Sequence, residues 1–275
     1  MSKTIKTNAR PSDRSDDWAG QWALVTGASS GFGVDFATLL AEQGVNLVLA
    51  ARRTEPMEAL AAQLRARHGI EVVVEGMDLA QPGAGRALKR RLDGHGIPVD
   101  ILINNAGYGL YGPLLAQPLD RVLDMLQLNT ASLTELTHVF GEDMARRGRG
   151  HILLVASIGG YQATPTYAAY SASKAYVLLL GEALNAELAP QGVKVSVLSP
   201  GITATNFLAV SGQRPTLYQR LLMMRSRPVA ATGLRALKAG RPSVVPGLGN
   251  KLTVWSARLV PRRMQTWMAH RLMAN

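Results

Sequence analysis

A tyrosine and a lysine four residues apart carry the first chemical signal in this sequence. Tyr170 and Lys174 lie in the segment Tyr-Ser-Ala-Ser-Lys, which has helical spacing, and Ser157 lies thirteen residues upstream of Tyr170 at the end of an apolar run. Residues i and i+4 are neighbours on one helix face, so the ammonium would lie beside the phenol. A nearby cation favours the phenolate and lowers a tyrosine pKa that is ordinarily about 10. The pair is therefore a candidate proton donor near neutral pH, although such pairs also occur on solvated helix faces.

A glycine-rich segment follows the first apolar run. Residues 23–25 lead into TGASSGFG at residues 26–33, and a helical pattern begins directly afterwards. Glycines let backbone amides approach a pyrophosphate, and a helix N-terminus adds partial positive charge there. An isolated loop of this kind would be an ordinary tight turn. Its position in the first of six strand-helix units favours dinucleotide binding instead.

Short apolar runs alternate with helical patterns along the chain. The runs are rich in Val, Ile and Leu without polar alternation, as expected of parallel strands covered on both faces. The predicted strands are Trp22–Val25, Asn46–Ala50, Val72–Glu75, Ile101–Ile103, His151–Ala156 and Lys194–Leu198. The predicted helices are Val34–Gln43, Met57–His68, Arg86–Leu92, Leu119–Arg146 and Tyr170–Leu188. This order predicts an α/β fold with a doubly wound parallel sheet and right-handed crossovers.

Several motifs together resemble the short-chain dehydrogenase/reductase family. They occur in the order and approximate spacing of that family: Thr26-Gly-x-x-x-Gly31-x-Gly33, Asn104-Asn105-Ala106-Gly107, Asn129, Ser157, Tyr170-x-x-x-Lys174 and Pro200-Gly201-x-x-x-Thr205. The resemblance covers about residues 20–205. It implies a single Rossmann-fold domain, which we place at residues 20–250, with a disordered or extended tail at 1–19 and a C-terminal extension at 251–275.

The resemblance also implies roles for individual residues. Tyr170 would act as general acid or base toward the substrate oxygen, while Lys174 would depress the tyrosine pKa and bind the nicotinamide ribose. Ser157 would hold the carbonyl oxygen, and Asn129 would anchor a water chain that resupplies the proton. The alternative for Asn129 is a helix-interior amide bonded to backbone. A rival hypothesis for the chain is a dinucleotide-binding sensor or scaffold with little catalysis, which the presence of all four residues disfavours.

The end of the second predicted strand bears on the choice between NAD and NADP. NAD-selective enzymes place a carboxylate there for the ribose 2′-hydroxyl, whereas this chain reads LAARR at residues 49–53. Guanidinium groups match phosphate oxygens, so NADP(H) is favoured, with Arg52 on the 2′-phosphate; arginines that only solvate the strand end are the alternative. Ser30 stands where many NADP-preferring relatives carry a basic residue. The expected cofactor-binding residues are Thr26, Gly27, Ser29, Ser30, Gly31, Phe32, Gly33, Arg52, Arg53, Asp78, Leu79, Asn105, Ala106, Gly107, Tyr170, Lys174, Pro200, Gly201, Thr203 and Thr205.

Residues 203–226 are expected to form a variable lid over the nicotinamide. This region is apolar and contains methionine, with Phe207, Leu208, Val210, Leu217, Leu221, Leu222, Met223 and Met224. Such a lid suits a hydrophobic ketone, aldehyde or alcohol as substrate. Four residues after the Asn-Asn-Ala-Gly segment are expected to add to the same pocket: Tyr108, Leu110, Tyr111 and Leu114. The alternative is that all these residues only close the core.

The net charge of +11 is concentrated near the C-terminus, because residues 202–275 contain twelve Lys and Arg and no Asp or Glu. Two short basic amphipathic helices are predicted there from the spacing of Leu252, Trp255 and Leu259 and of Met264, Trp267, Met268 and Leu272. Three interpretations remain open: peripheral contact with a membrane, packing onto this protein or a sister subunit, and attraction of an anionic substrate such as an acyl thioester. Nucleic acid is not expected as a partner, because no recognised module accompanies the basic residues.

Composition limits the remaining possibilities. The chain has 275 residues and no cysteine, which excludes disulfides and thiolate metal sites. Its five histidines lack ligand spacing, so no metal is predicted. With no signal peptide or membrane-spanning run recognised, a cytoplasmic location is expected. The family resemblance implies a homodimer or homotetramer built through the helices Leu119–Arg146 and Tyr170–Leu188, with Val177 and Leu180 on the outer face of the second.

Overall fold

A parallel sheet of seven strands lies at the centre of the protein. The computed structural model describes residues 18–214 and 223–273. The strand order is β3-β2-β1-β4-β5-β6-β9, with β1 Trp22–Thr26, β2 Asn46–Ala51, β3 Val72–Gly76, β4 Ile101–Asn104, β5 Gly150–Val155, β6 Val193–Leu198 and β9 Ser243–Val244. A separate pair joins β7 Thr203–Ala204 to β8 Met224–Arg225. The order reverses between β1 and β4, where a doubly wound sheet opens a crevice at the carboxyl ends of its strands.

Helices cover both faces of this sheet. They are α1 Phe32–Ala41, α2 Thr54–His68, α3 Ala84–Gly94, α4 Leu119–Leu126, α5 Leu133–Arg147, α6 Ala168–Leu188, α7 Phe207–Ser211, α8 Ser226–Lys238, α9 Leu248–Ser256 and α10 Arg262–Met273. Apolar residues of α1, α2 and α8 form the core on one face, and those of α3, α5 and α6 form the core on the other. Strands buried on both sides explain the unbroken apolar runs in the sequence. The predicted doubly wound α/β fold is confirmed.

The predicted helix Leu119–Arg146 is not continuous. A π-helical turn, Gln127–Ser132, separates α4 from α5. Within it the Thr130 hydroxyl donates to the Leu126 carbonyl oxygen at 2.5 Å. The turn contains no Pro or Gly that would mark it, so the sequence pattern does not reveal it.

The first described residue corrects the predicted N-terminal tail. Trp18 has no exposed surface. Its indole Nε1 donates to His151 Nε2 at 3.4 Å, and the Lys238 ammonium lies 4.4 Å from the indole centroid. The tail predicted for residues 1–19 therefore does not include Trp18, while residues 1–17 lie outside the described residues.

The C-terminal region contains two helices, α9 and α10, as its apolar spacing indicates. The boundary that we place between residues 250 and 251 falls inside α9, which begins at Leu248. None of the helices in residues 18–214 and 223–273 combines the length and the apolar character that crossing a bilayer requires.

The outer face of α6 also differs from expectation. Val177 is fully buried in the core and Leu180 packs against it. The large apolar residues of α6 that face outward are Tyr176 and Leu179, which are 41% and 68% exposed. Any subunit contact through α6 would therefore involve these two side chains.

Replacing Trp18 with alanine tests its place in the core. We expect Trp18→Ala to lower the free energy of unfolding by about 3–5 kcal/mol, because it empties a large buried site. Trp255→Ala is the matched control, since Trp255 is 60% exposed, and it should change stability by less than about 0.5 kcal/mol. Urea unfolding followed by circular dichroism measures both values. Equal effects of the two substitutions would show that Trp18 is not a core residue.

Candidate active site

A cleft of about 1280 Å³ lies at the carboxyl ends of the parallel strands, lined by the segments that follow β1 to β6. Pockets for single small molecules usually occupy roughly 300–1,000 Å³. The cleft is therefore large enough for a dinucleotide together with a second ligand.

The glycine loop and the start of α1 form one end of the cleft. Gly27 and Gly31 have φ values of 68° and 57°, which favour glycine, and Gly31 is the N-cap of α1 without a side-chain capping bond. The first backbone N–H groups of α1 are therefore suited to an anionic ligand. A Cβ at Gly33 would lie 2.2 Å from the Gly27 carbonyl oxygen, so only glycine lets α1 pack this closely on the loop.

Two predicted cofactor-binding residues, Thr26 and Gly33, support the cleft without lining it. The buried Thr26 hydroxyl accepts hydrogen bonds from the backbone N–H groups of Asn105 and Ala106, each at 2.9 Å. Thr26 thereby fixes the loop after β4 against the end of β1. The other eighteen residues predicted for the cofactor all lie in the lining.

The end of β2 presents two cations to the cleft. Arg52 and Arg53 are both exposed and both line it. The Arg53 guanidinium donates to the Ser29 hydroxyl of the glycine loop at 3.4 Å. On the neighbouring strand end, the Asp78 carboxylate accepts from the Ala80 backbone N–H at 3.1 Å. This corner of the cleft fits an anionic group beside the two guanidinium ions.

Ser157, Tyr170 and Lys174 meet in the lining of the cleft near the end of β5. Ser157 caps a short 3-10 helix, Ile158–Tyr161, and its hydroxyl accepts from the Gly159 backbone N–H at 3.1 Å. Lys174 is 5% exposed, and its ammonium donates to the Val155 carbonyl oxygen at 2.8 Å. The same ammonium lies 5.9 Å from the centroid of the Tyr170 ring. One phenol, one hydroxyl and one buried ammonium thus share a single corner of the cleft.

Burial dominates the ionisation of the tyrosine-lysine pair. It raises the pKa of Tyr170 above its ordinary value, and the hydrogen bond with Ser157 opposes that shift. Burial also lowers the pKa of Lys174 from 10.5 to about 8. The sequence predicted that Lys174 lowers the pKa of Tyr170. In the structure the interaction that lowers this pKa is the hydrogen bond with Ser157, and the Lys174 ammonium donates to the Val155 carbonyl oxygen instead. Tyr170 is therefore protonated at neutral pH, but in this structure it is a weaker acid than its spacing from Lys174 predicts.

Asn129 lies in the π-helical turn and not in the cleft lining. Its amide oxygen accepts from the Tyr108 backbone N–H at 3.2 Å, and its amide nitrogen donates to the Tyr108 carbonyl oxygen at 2.9 Å and to the Ser173 hydroxyl at 3.1 Å. This arrangement agrees with the alternative interpretation of a backbone-bonded amide. Asn129 joins the segment after β4 to α6, so its side chain positions both walls of the catalytic corner.

The lid is described at residues 203–214 and 223–226, and the predicted lid residues Leu217, Leu221 and Leu222 lie outside the described residues. Of the others, Phe207, Leu208 and Val210 line the cleft, whereas Met223 and Met224 do not. The Phe207 ring centroid lies 5.2 Å from that of Tyr170. An aromatic ring therefore packs directly against the candidate proton donor.

Of the four pocket residues predicted after the Asn-Asn-Ala-Gly segment, only Tyr108 lies in the lining of the cleft. Tyr111 packs on Tyr167 with ring centroids 5.5 Å apart, Leu114 is 46% exposed, and Leu110 also lies outside the lining. These three predictions are wrong. Sequence reasoning missed the lining residues Asp120, Arg121, Asp124, Gln162, Thr164 and Tyr167.

Of these missed residues, Tyr167 alone had a local signal, because it immediately precedes the helix that carries Tyr170. Its buried hydroxyl donates to Gln213 Oε1 at 2.9 Å and lies 2.9 Å from the Ser211 hydroxyl. Tyr167 thus ties α7 and the residues after it to the start of the catalytic helix. The remaining missed residues enter the cleft through tertiary packing.

The lowered pKa of Lys174 predicts a pH-dependent stability. Below pH of about 8 the lysine is charged in both states and its burial lowers stability; between about 8 and 10.5 the folded state loses its proton first, so folding gains stability as pH rises. We therefore expect the free energy of unfolding of the wild type to increase relative to Lys174→Met between about pH 7 and about pH 10. Urea unfolding at each pH measures the difference. A difference that does not change with pH would contradict the depressed pKa.

Comparisons with known proteins agree with this geometry. The profile of the short chain dehydrogenase family matches residues 21–215. A very-long-chain 3-oxoacyl-CoA reductase from Phaeosphaeria nodorum is 36% identical over 192 residues, which cover 68% of this chain and 56% of that protein. The chain thus spans little more than half the length of this relative.

Solved structures show the same likeness in three dimensions. A short-chain dehydrogenase from Sphingobium yanoikuyae in complex with NADPH superposes with a TM-score of 0.78 at 31% identity, covering 87% of this chain and 94% of that one. The bulky-bulky ketone specific alcohol dehydrogenase from Comamonas testosteroni gives a TM-score of 0.74 at 29% identity, covering 87% and 92%. The matched profile includes the glycine loop, Ser157, Tyr170 and Lys174. This chain therefore belongs to the short-chain dehydrogenase family.

Proposed function

We propose that the protein is an NADP(H)-dependent oxidoreductase that interconverts a hydrophobic ketone or aldehyde and its alcohol. The observation that carries this proposal is the meeting of Ser157, Tyr170 and Lys174 in the same cleft as the glycine loop. Such a cleft brings a proton donor close to a dinucleotide site. A dinucleotide-binding sensor is the rival, and its chain would have no need of this buried corner.

The cofactor, when bound, supplies or accepts a hydride. The glycine loop and the N-terminus of α1 hold its pyrophosphate, and Arg52 and Arg53 bind the 2′-phosphate of NADP. Asp78 and Leu79 would hold the adenine, and residues 105–107 would hold its ribose. Lys174 would donate to the nicotinamide ribose. The bound NADPH of the Sphingobium yanoikuyae relative supports this choice of cofactor.

Proton transfer uses the catalytic corner. The Ser157 hydroxyl holds the substrate carbonyl oxygen, and the Tyr170 phenol donates its proton to that oxygen in the direction of reduction. Tyr170 is protonated at neutral pH, and it can release its proton because the substrate oxygen becomes strongly basic as negative charge develops on it. Phe207 packs against Tyr170, so an aromatic ring covers one side of the proton donor.

Apolar residues on the lid favour a hydrophobic substrate. Phe207, Leu208 and Val210 line the substrate end of the cleft together with Ile158. Two relatives support this class by their names, since one is specific for bulky-bulky ketones and another is a very-long-chain 3-oxoacyl-CoA reductase. Both descriptions place large groups beside the carbonyl.

We further propose a cytoplasmic homodimer or homotetramer without a nucleic-acid partner. Neighbouring helices α4 and α6 carry exposed apolar side chains that suit a subunit contact: Leu119, Leu123, Tyr176 and Leu179. A hydrogen bond of 2.7 Å between the Thr134 and Tyr176 hydroxyls fixes α5 beside α6 on this face. Burial of such side chains between copies would remove apolar surface from water.

Tyr170→Phe tests the proton donor. We expect kcat for ketone reduction to fall by at least about 100-fold, because the variant has no acidic proton, while NADPH binding remains within about threefold. Steady-state absorbance assays and NADPH fluorescence titration measure the two quantities. Tyr176→Phe is the matched control on the exposed side of the same helix. Retained turnover in Tyr170→Phe would refute the assignment, and a wild type that binds NADPH without reducing any of a panel of ketones would favour the sensor.

Arg52→Ala tests the 2′-phosphate site. Loss of a charge-assisted contact should raise KM for NADPH by about 10- to 100-fold, with little change in KM for NADH. Arg67→Ala is the control, because Arg67 is an exposed arginine on α2 outside the cleft. Equal changes with the two cofactors would mean that Arg52 does not bind the 2′-phosphate.

A further inference from the structure

The two C-terminal helices turn their apolar residues toward solvent. On α9 and its continuation, Leu248, Leu252, Trp255 and Leu259 are between 60% and 79% exposed. On α10, Met264, Trp267 and Met268 are between 44% and 59% exposed. The first set recurs at intervals of three or four residues, and in the second Trp267 and Met268 lie three and four residues after Met264, so each set forms a stripe along one helix side. We call these seven residues the C-terminal face.

The sides of α9 and α10 that face the protein include polar and small residues. Asn250 donates to the Pro246 carbonyl oxygen at 2.8 Å and contacts Met224. Gln265 donates to the Val260 carbonyl oxygen at 2.6 Å, and Ala269 is 4% exposed. An ordinary surface helix shows the opposite arrangement, with its apolar stripe toward the core. The C-terminal face is therefore available to a partner other than the core of this domain.

The surroundings of the C-terminal face are basic. Lys251, Arg258, Arg262, Arg263 and Arg271 are all exposed, and the chain has no Asp or Glu after residue 187. Arg271 lies over the Trp267 ring at 5.6 Å. Two copies meeting through this face would bring like charges together without acidic partners, which disfavours a self-contact. Charge complementarity selects an anionic surface that also accepts apolar side chains.

The C-terminal face is anchored to the wall of the cleft. Asn250 of α9 packs against Gly201, where an added Cβ would lie 2.4 Å from its amide. Gly201 lines the cleft beside the segment that carries Thr203 and Thr205. Whatever binds the face is therefore held close to the substrate end of the molecule.

We infer that the C-terminal face docks the protein on an anionic lipid bilayer. The stripes of leucine, methionine and tryptophan enter the boundary between headgroups and acyl chains, and the flanking Lys and Arg contact acidic headgroups. Interfacial tryptophan is typical of such contacts. The docking itself is independent of the reductase activity. Docking would hold the cleft near apolar carbonyl compounds dissolved in the bilayer, and this advantage rests on the proposed function.

Sedimentation of the full chain with vesicles tests the inference. The probes are phosphatidylcholine vesicles with and without phosphatidylglycerol. We expect the protein to pellet with the anionic vesicles, to remain in solution with the neutral ones, and to dissociate as NaCl rises from about 0.05 to about 0.5 M. A wild type that does not pellet with anionic vesicles overturns the inference.

Two variants assign the binding to this face. Arg258→Gln/Arg262→Gln/Arg263→Gln should weaken apparent vesicle affinity on the order of 100-fold, from about fivefold per basic residue. Trp255→Ser/Trp267→Ser should weaken it at least about 10-fold. The controls change equally exposed residues elsewhere, Arg67→Gln/Arg90→Gln/Arg235→Gln and Leu115→Ser, and should stay within about threefold of the wild type. Equal losses in variants and controls overturn the assignment to this face.

Measurements on the unmodified chain do not depend on how the variants fold. Vesicles with brominated acyl chains should quench tryptophan emission, because two of the four tryptophans lie on the face. Absence of quenching in pelleted protein contradicts insertion.

The oligomeric state separates docking from a contact between copies. If the wild type does not bind vesicles and is oligomeric, and the Trp255→Ser/Trp267→Ser variant is monomeric, the face is a contact between copies instead. Reduction of a water-soluble ketone should be unchanged in all variants, so its absence in the wild type refutes the proposed function and leaves the docking result intact.

Discussion

Burial of Lys174 on the inner side of α6, one turn from Tyr170, is the constraint on which the rest of the site depends. A buried ammonium is costly without a partner, and here it is held by the Val155 carbonyl oxygen at the end of β5. That bond fixes α6 against the sheet, and Ser157 follows two residues after Val155. The proton donor is thereby positioned relative to the crevice that the strand order opens. A cofactor at the glycine loop and a carbonyl at Ser157 then share one cleft.

Much of this arrangement could be predicted because the relevant signals are local. Unbroken apolar runs indicate strands that are buried on both faces. The glycine loop indicates a close approach of two backbone segments, and a side chain at Gly33 would indeed collide with Gly27. The spacing of Tyr170 and Lys174 directly reports a shared helix face. Leucine, methionine and tryptophan at helical spacing likewise predicted α9 and α10. Spacing alone did not show that these apolar side chains face the solvent.

Features that arise from tertiary packing could not be predicted in this way. In the sequence Trp18 belongs to a polar segment, and only the structure shows that it contacts His151 and Lys238, which are distant in the chain. The π-helical turn at Asn129 contains no Pro or Gly to mark it, so a single long helix was predicted. The pKa of Tyr170 depends on how deeply it is buried, and helical spacing alone suggested the opposite direction. Strand β9 has only two residues, too few to give a pattern.

We propose that a hydride passes from NADPH to an apolar carbonyl whose oxygen is protonated at the corner formed by Ser157, Tyr170 and Lys174. The direct test uses NADPH deuterated at the transferring position of C4 with a bulky apolar ketone, followed by mass spectrometry of the product. We expect the alcohol to carry one deuterium at its carbinol carbon. An alcohol free of deuterium, or no alcohol with any ketone of this class, would contradict the account.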